Sequence, residues 1–477
     1  MGFLPYFMYI ECMKTQPILL LATFLLSFSL YAQQDYVRPN LPGKWRLPSE
    51  QPDHIVLNFS DDPATTMSAT WRTDTRTKQA FGEVAIATAA PRFWRNAKRV
   101  SGTTETMDAS QVKSAETKAN YHSVTFTGLI PDTLYAYRVG DGEHWSEWIQ
   151  FRTASEEPEP FSFLYVGDAQ NNILDLWSRL IREGYRTAPD ARFIIHAGDL
   201  VNDAHSELEW HEWFTAGGWI HRTLPSLPLP GNHEYEGYTE LEEEQDISHI
   251  SVQWHPQFTL PQNGPDSLKE QAYYVDYQGT RIVALNSIEM QEKQAEWVDQ
   301  VLAENPHRWS VVTFHHPLFS ASGNRDNDEL RELWKPVFDK HQVDIVLQGH
   351  DHSYARGRVD PLAENVPDGV NTRDITGTVY VVSVSGGKMY DVKDNWDDYE
   401  ASRDRAAENT QLFQLINIDG NTLRYEAYTA VGELYDAFEL IKQDEGPNQF
   451  IELQNEAIPP FTHENTVPYR LEKSQGN

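Results

Sequence analysis

Between residues 54 and 153 the apolar positions fall in short runs with a period of two. Residues 54–60 form the first run. Met67, Ala69 and Trp71 then alternate with polar neighbours, the pattern of a half-buried strand. Residues 82–87 and 121–129 are further strand candidates. Pro131-Asp132 marks a turn, after which Tyr135, Tyr137 and Val139 share one strand face. From Phe161 the texture changes: apolar runs end in short polar loops and alternate with helix-like stretches at 173–185 and 291–304. The strand candidates there are 161–166, 192–195, 281–285, 310–314, 343–347 and 378–384. Such alternation predicts an α/β domain with at least part of its sheet buried on both faces. Residues 412–418 and 423–428 around Asp419-Gly420-Asn421 predict a hairpin with an Asp-Gly turn. Past residue 441 the polar, irregular composition predicts a surface tail.

A length of 477 residues favours two domains plus tails over a single core. A Pro-rich lead-in (Pro39, Pro42, Pro48, Pro52) reads as a linker over 33–53. Before it, Lys14 precedes an uncharged run from Ile18 to Ala32, then Gln33-Gln34-Asp35. That order is the one of a signal peptide, with cleavage after Ala32, and the run is shorter than the ~20 residues of a membrane span. An uncleaved anchor is the alternative. Translation starts at Met1 or Met13. The single cysteine, Cys12, precedes the run, so the processed chain would hold no disulfide and no thiol nucleophile. Asp and Glu number 71 against 39 Lys and Arg, for a net charge of −32. This balance opposes non-specific attraction to nucleic acids and anionic membranes. An anionic substrate stays compatible with it where bound metal reverses the local potential.

Five short motifs each follow an apolar run: Gly167-Asp168-Ala169-Gln170, Gly198-Asp199-Leu200-Val201-Asn202, Gly231-Asn232-His233-Glu234, Phe314-His315-His316-Pro317 and Gly349-His350-Asp351-His352. Strand ends of an α/β sheet converge on one edge, so these loops can meet. Together they supply Asp, Asp, Asn and three His, an oxygen and imidazole set suited to divalent transition metals. Each motif alone is a common turn or loop; all five in order are not.

The motifs in this order resemble the calcineurin-like metallophosphoesterase superfamily over roughly residues 50–430. The first domain, with Trp71, its Tyr135 turn and the closing Phe151-Arg152-Thr153, resembles a fibronectin type III-like module and points to the purple acid phosphatase branch. The resemblance implies an N-terminal all-β sandwich over 54–155, then an α/β metallophosphoesterase domain over 156–440 whose β-sandwich core is flanked by helices. It implies two divalent metal ions (Mn, Zn or Fe). Asp199 would bridge them, Asp168 and His352 would complete one site, and Asn232, His315 and His350 the other. His233 would be the unliganded catalytic histidine. Two positions depart from the family: Asn202 stands where a metal-binding Tyr is usual, and Gln170 where other members have a His. Gln170 is then a ligand through its amide oxygen, or a hydrogen-bonding neighbour of one. Without a tyrosinate the protein should not be purple.

The implied activity is hydrolysis of small phosphate monoesters by a metal-bound hydroxide, with His233 protonating the leaving alkoxide. Secretion or a periplasmic location is expected, with no nucleic-acid scaffold and no stable membrane insertion. Arg325 is a candidate for phosphate binding, with a solvated loop as the alternative. His316, its ring expected to point away from His315, is a candidate substrate contact. His205, His211, His221 and His255 read as ordinary histidines. The acidic stretch 240–246 reads as a rim or a solvated loop. The rival activities are phosphodiesterase or nucleotidase chemistry on the same metals, and a non-catalytic binding protein.

Overall fold

A computed structural model of the chain describes residues 47–107, 118–235, 249–323, 325–371, 374–392, 396–399 and 401–453. The signal-peptide reading, Cys12, most of the linker, the acidic stretch 240–246, Asn324 and the chain from 454 onward lie outside them.

The first domain is a sandwich of two antiparallel four-stranded sheets. One runs Asp53–Asn58, Thr66–Asp74, Ala119–Thr127 and Thr103–Thr106; the other runs Lys98–Ser101, Phe81–Ile86, Leu134–Gly140 and Ile149–Arg152. Tyr135 turns back so that its hydroxyl accepts from the Ile130 N–H at 2.8 Å, the tyrosine corner that pins a strand to its preceding turn. Met67, Ala69, Trp71, Phe126 and Tyr137 are fully buried.

The alternation around Trp71 predicts one wet face, yet both faces of Thr66–Asp74 are buried. The polar face lies against the second domain. Thr70 meets Thr259 at 3.0 Å, and Asn58 on the neighbouring strand donates to the Ser226 carbonyl at 2.7 Å. The fully buried Arg72 is clamped between Asp53 and the equally buried Glu207. Removing one partner of such a pair strands a charge in a dry interface. Glu207→Ala is therefore expected to lower the unfolding free energy by about 3–5 kcal/mol in urea titrations. Replacing Arg72 and Glu207 together by Met and Leu should recover most of it; a loss below ~1 kcal/mol for the single variant would rule out the clamp.

Two sheets form the second domain. The eight-stranded one orders as Ser226–Pro228, Ile194–His196, Phe161–Val166, Leu412–Asp419, Thr422–Thr429, Leu434–Ile441, Asn448–Glu452 and Ile375–Thr376. The seven-stranded one orders as Tyr273–Tyr277, Thr280–Ala284, Trp309–Phe314, Ile345–Gln348, Val379–Val382, Tyr354–Arg358 and Ser402–Ala407. Each holds a parallel core: 161, 194 and 226 in the first, 280, 309, 345 and 379 in the second. Side chains tie the sheets face to face. Tyr165 donates to the Gln348 carbonyl, and Tyr354 to Asp436 at 2.7 Å. Helices Ser178–Thr187, Gln291–Ala303 and Asp328–Lys340 pack their apolar faces against this core. The arrangement is the expected sandwich core flanked by helices.

Three details differ from expectation. The stretch 173–185 opens as a π-helical turn, Ile173–Trp177, entered through left-handed Asn171 and Asn172, before becoming α-helical. The hairpin pairs Asp419 with Thr422, so its two loop residues are Gly420 and Asn421. Residues past 441 are not all tail: Asn448–Glu452 extends the eight-stranded sheet beside Leu434–Ile441. Phe450 stacks on Phe438 at 5.3 Å, and Glu452 reaches the fully buried Arg356 at 2.9 Å. A strand of five residues leaves too little periodicity to read in sequence.

Candidate metal centre

All five motifs sit just past the C-terminal ends of parallel strands. Phe161–Val166, Ile194–His196 and Ser226–Pro228 deliver Asp168, Asp199 and Asn232–His233 from one sheet. Trp309–Phe314 and Ile345–Gln348 deliver His315–His316 and His350–His352 from the other. The cluster therefore forms where the edges of the two sheets meet. Four of its members have left-handed backbone: Asp168 at φ 45°, Asp199 at 51°, His350 at 75° and His352 at 49°. Non-glycine residues rarely adopt that region, at a cost of about 1–3 kcal/mol each, and such strain gathers at functional sites. Gly198 and Gly349 make room: a Cβ would lie 2.6 Å from His315 Nδ1 at the first and 2.6 Å from Asp168 Oδ2 at the second.

Asp199 is the hub. Its ligand atom groups with those of His315 and His350 on one side and with those of Asp168 and His352 on the other, all within 4.8 Å in each group. Asn232 Oδ1 is 3.0 Å from His315 Nε2, and His350 Nδ1 is 3.2 Å from the same nitrogen. His315 donates from Nδ1 to the Ala197 carbonyl at 2.8 Å, and His352 from Nδ1 to the Lys388 carbonyl at 2.9 Å. Both rings thus turn Nε2 inward, the tautomer control usual for metal-binding histidines. His233 donates from Nδ1 to the Asn202 carbonyl at 2.7 Å and holds Nε2 3.9 Å from Asp199.

The donor set suits cations. Burial, reinforced by the nearby Asp199 charge, pushes Asp168 up to about 8 although His315 opposes it. Burial would lower His315, but Asp199 and Asp168 attract its proton and raise it to about 9. Burial would likewise raise Asp199, yet the His315 and His233 imidazoles hold it below the usual carboxylate range. Two carboxylates and several imidazoles closed into one dry cluster strain each other in this way until divalent ions take the place of the protons. Gln170 Oε1 is buried without a hydrogen-bond partner, while its amide nitrogen lies 2.6 Å from Asp199 and 3.2 Å from His352 Nε2. Turning the amide over would aim the oxygen at the same point, the orientation that a cation there favours. The residues present thus fit a pair of metal ions.

Asn202, at the position of the family tyrosine, accepts from Asn171 at 3.0 Å through its side chain. His316 does not point away from the cluster. Its ring lies 4.2 Å from that of His350 and 5.1 Å from that of His315, and its Nδ1 meets Ser287 at 2.8 Å. The irregular turn after Phe314 places both rings on the cluster side, which strand alternation does not anticipate. Burial lowers His316 to about 3, so its ring is neutral. Arg325 lies at the cleft, 3.3 Å from the buried Asp351, and donates to the His350 carbonyl at 2.9 Å. His221 stacks on Trp213 at 4.0 Å, and His255 meets Glu270 at 3.0 Å. Asp53, His54 and His211 form another acid–imidazole group, but Arg72 takes both Asp53 oxygens at 2.8 and 2.7 Å.

Sequence reasoning missed three contributors. Glu234 is wholly buried, and its carboxylate accepts from the N–H groups of Gly231, Asp199, Leu200 and Val201 at 2.7, 2.9, 2.8 and 3.3 Å. It ties the Asp199 and Asn232 loops to each other. Its place in the Asn-His-Glu motif was the available signal. Lys388 and Tyr390 line the cleft of about 260 Å³ above Asp199, His233 and His352; nothing in their local sequence marks them.

Residues 52–153 match the purple acid phosphatase N-terminal domain, and residues 161–354 match the calcineurin-like phosphoesterase domain, a span containing all five motifs. Fold and site together define a metal-dependent phosphoesterase of the calcineurin-like class. The two domains, in this order, resemble those of purple acid phosphatases. The Fe(3+)-Zn(2+) purple acid phosphatase 12 of Arabidopsis thaliana is 25% identical over 57% of this chain and 60% of its own length, so the match spans less than two thirds of that relative. Purple acid phosphatase 18 of the same plant is 24% identical over 73% of this chain and 79% of its own. The structure of a purple acid phosphatase from yellow lupin (Lupinus luteus) seeds shares the fold, with a TM-score of 0.65 and 18% identity over 82% of this chain and 74% of that one.

Proposed function

We propose that this chain is an exported dinuclear-metal phosphatase that hydrolyses phosphate monoesters, with His233 as the leaving-group acid. The observation that carries the reading is the pair of ligand clusters sharing Asp199. In it Asp168, Asp199 and His352 would hold one ion, and Asp199, Asn232, His315 and His350 the other, with Gln170 Oε1 as a further oxygen donor. When bound, such ions supply an activated water and neutralise charge on the phosphoryl oxygens. The chain's own residues orient and protonate. His233 Nε2, fixed by the Asn202 carbonyl behind it, faces the cleft, where it can hold a proton for the departing oxygen. Arg325, held by Asp351, offers guanidinium donors to a phosphoryl oxygen. His316 supports His350 from the side.

The Asn202 side chain is engaged by Asn171, so no phenolate is supplied at that position. A neutral Gln170 oxygen in place of a phenolate favours a divalent pair of Mn, Zn or Fe(II) and a colourless protein. Export rests on the charge-then-apolar order at the N-terminus, which suits a secreted or periplasmic enzyme. Among the described residues no helix is long and apolar enough to cross a membrane.

The test uses protein lacking residues 1–32, stripped of metal and reloaded separately with Mn, Zn or Fe. Nitrophenyl phosphate is expected to turn over faster than bis-nitrophenyl phosphate, and His233→Ala to lower monoester turnover by roughly 10²–10⁴-fold. Faster diester turnover would reassign the substrate class. No turnover with two ions bound would overturn the enzymatic reading.

A further inference from the structure

The cleft holds more positive charge than binding of a single phosphoryl group requires. Arg325 is fixed from behind. Asp351, which pairs with it at 3.3 Å, is itself pinned by the Ser320 hydroxyl at 2.9 Å and the Ala321 N–H at 2.6 Å. Its guanidinium also sits 5.2 Å from the Tyr390 ring centre. The Lys388 ammonium stands 5.5 Å from the same ring, and among the described residues no carboxylate pairs with it. Its backbone is nevertheless tied into the site: the Lys388 carbonyl accepts from His352, and the Tyr390 N–H donates to the His352 carbonyl at 2.9 Å.

An unpaired cation held beside a site for two metal ions is unfavourable by Coulomb's law unless an anion joins it. The phosphoryl group at the ions already has His233 and Arg325 as partners. Lys388 lines the same cleft as His233, the residue assigned to the leaving group.

We infer that Lys388, beside Tyr390, forms a second anion subsite that selects small phosphate esters carrying another anionic group on the leaving-group side, such as a diphosphate. The inference rests on the phosphatase reading of the cleft. The cleft, about 260 Å³, opens to solvent and leaves room for a second anionic group beside the first. The acidic envelope repels polyanions at long range, so the selection acts only at contact distance.

The test is calorimetric binding of methylenediphosphonate and methylphosphonate to the metal-loaded full chain, neither of which is hydrolysed. Wild type is expected to prefer the diphosphonate by at least ~10-fold, with Lys388→Met losing most of that preference and Lys388→Arg retaining it. Comparing variants cancels chelation by the diphosphonate, which acts on the same ions in each. An equal preference in wild type and Lys388→Met overturns the subsite. Turnover of nitrophenyl phosphate, assayed in parallel, reports on the phosphatase reading alone: its absence would leave the calorimetric ratio to decide on Lys388.

Discussion

Asp199→Asn is expected to empty the centre of both ions. The carboxylate is the single group common to the two ligand clusters. An amide in its place keeps the shape but removes the charge that balances two divalent cations. It also forces an NH₂ group toward one of its neighbours: Asp199 oxygens accept from the His233 N–H at 3.0 Å and from Gln170 at 2.6 Å. Elemental analysis of the purified variant should find fewer than about one ion per chain, and monoester turnover should fall by at least ~10³-fold. A second readout is independent of turnover. Each ion at 100 times its dissociation constant stabilises the folded wild type by about 2.7 kcal/mol, and this gain should vanish in Asp199→Asn. A variant that kept two ions and its metal-dependent rise in melting temperature would remove Asp199 from the bridging role.

The second large effect is expected at a residue that offers no ligand atom to the ions itself. Glu234 closes four backbone N–H groups around one carboxylate, two of them flanking the candidate ligands Asp199 and Asn232. In Glu234→Gln one acceptor oxygen becomes an NH₂ that faces N–H groups already pointing at it. Leaving such buried donors unpaired costs about 1–3 kcal/mol each. The expected result is a loss of about 3 kcal/mol in denaturant unfolding of the metal-free protein, together with a 10–100-fold weaker metal affinity. The left-handed backbone at Asp199 is the reason the two losses come together, since the clamp is what holds that strained turn in place. Unchanged metal affinity in a destabilised Glu234→Gln would show that the clamp serves the fold without serving the centre.

Much of the centre could be read before any coordinates because it is built on one-dimensional signals. Buried parallel strands read as apolar runs, and their ends carry Asp168, Asp199, Asn232, His315 and His350 within one to four residues of the last apolar position. The fold class followed from the same texture change at Phe161. Tyr135 was legible because a tyrosine corner is a local device, completed within five residues.

What escaped is what depends on surfaces meeting. The polar face of Thr66–Asp74 reads as solvent-facing because sequence periodicity does not say what lies opposite; Glu207, far along the chain, does. The strand Asn448–Glu452 exists because a sheet edge and Arg356 await it. His316 joins the cluster because the turn after Phe314 is irregular, and Lys388 reaches the cleft because a loop of no distinctive composition folds over Tyr390.

The sequence by itself thus determined the two-domain order, the strand-end placement of the five motifs and the chemical types of the donors, since each is set by neighbours along the chain. Tertiary structure alone decided which donors share Asp199, how the strained turns are held by Glu234 and which cations stand at the mouth. Those outcomes arise from distances between segments that periodicity leaves free.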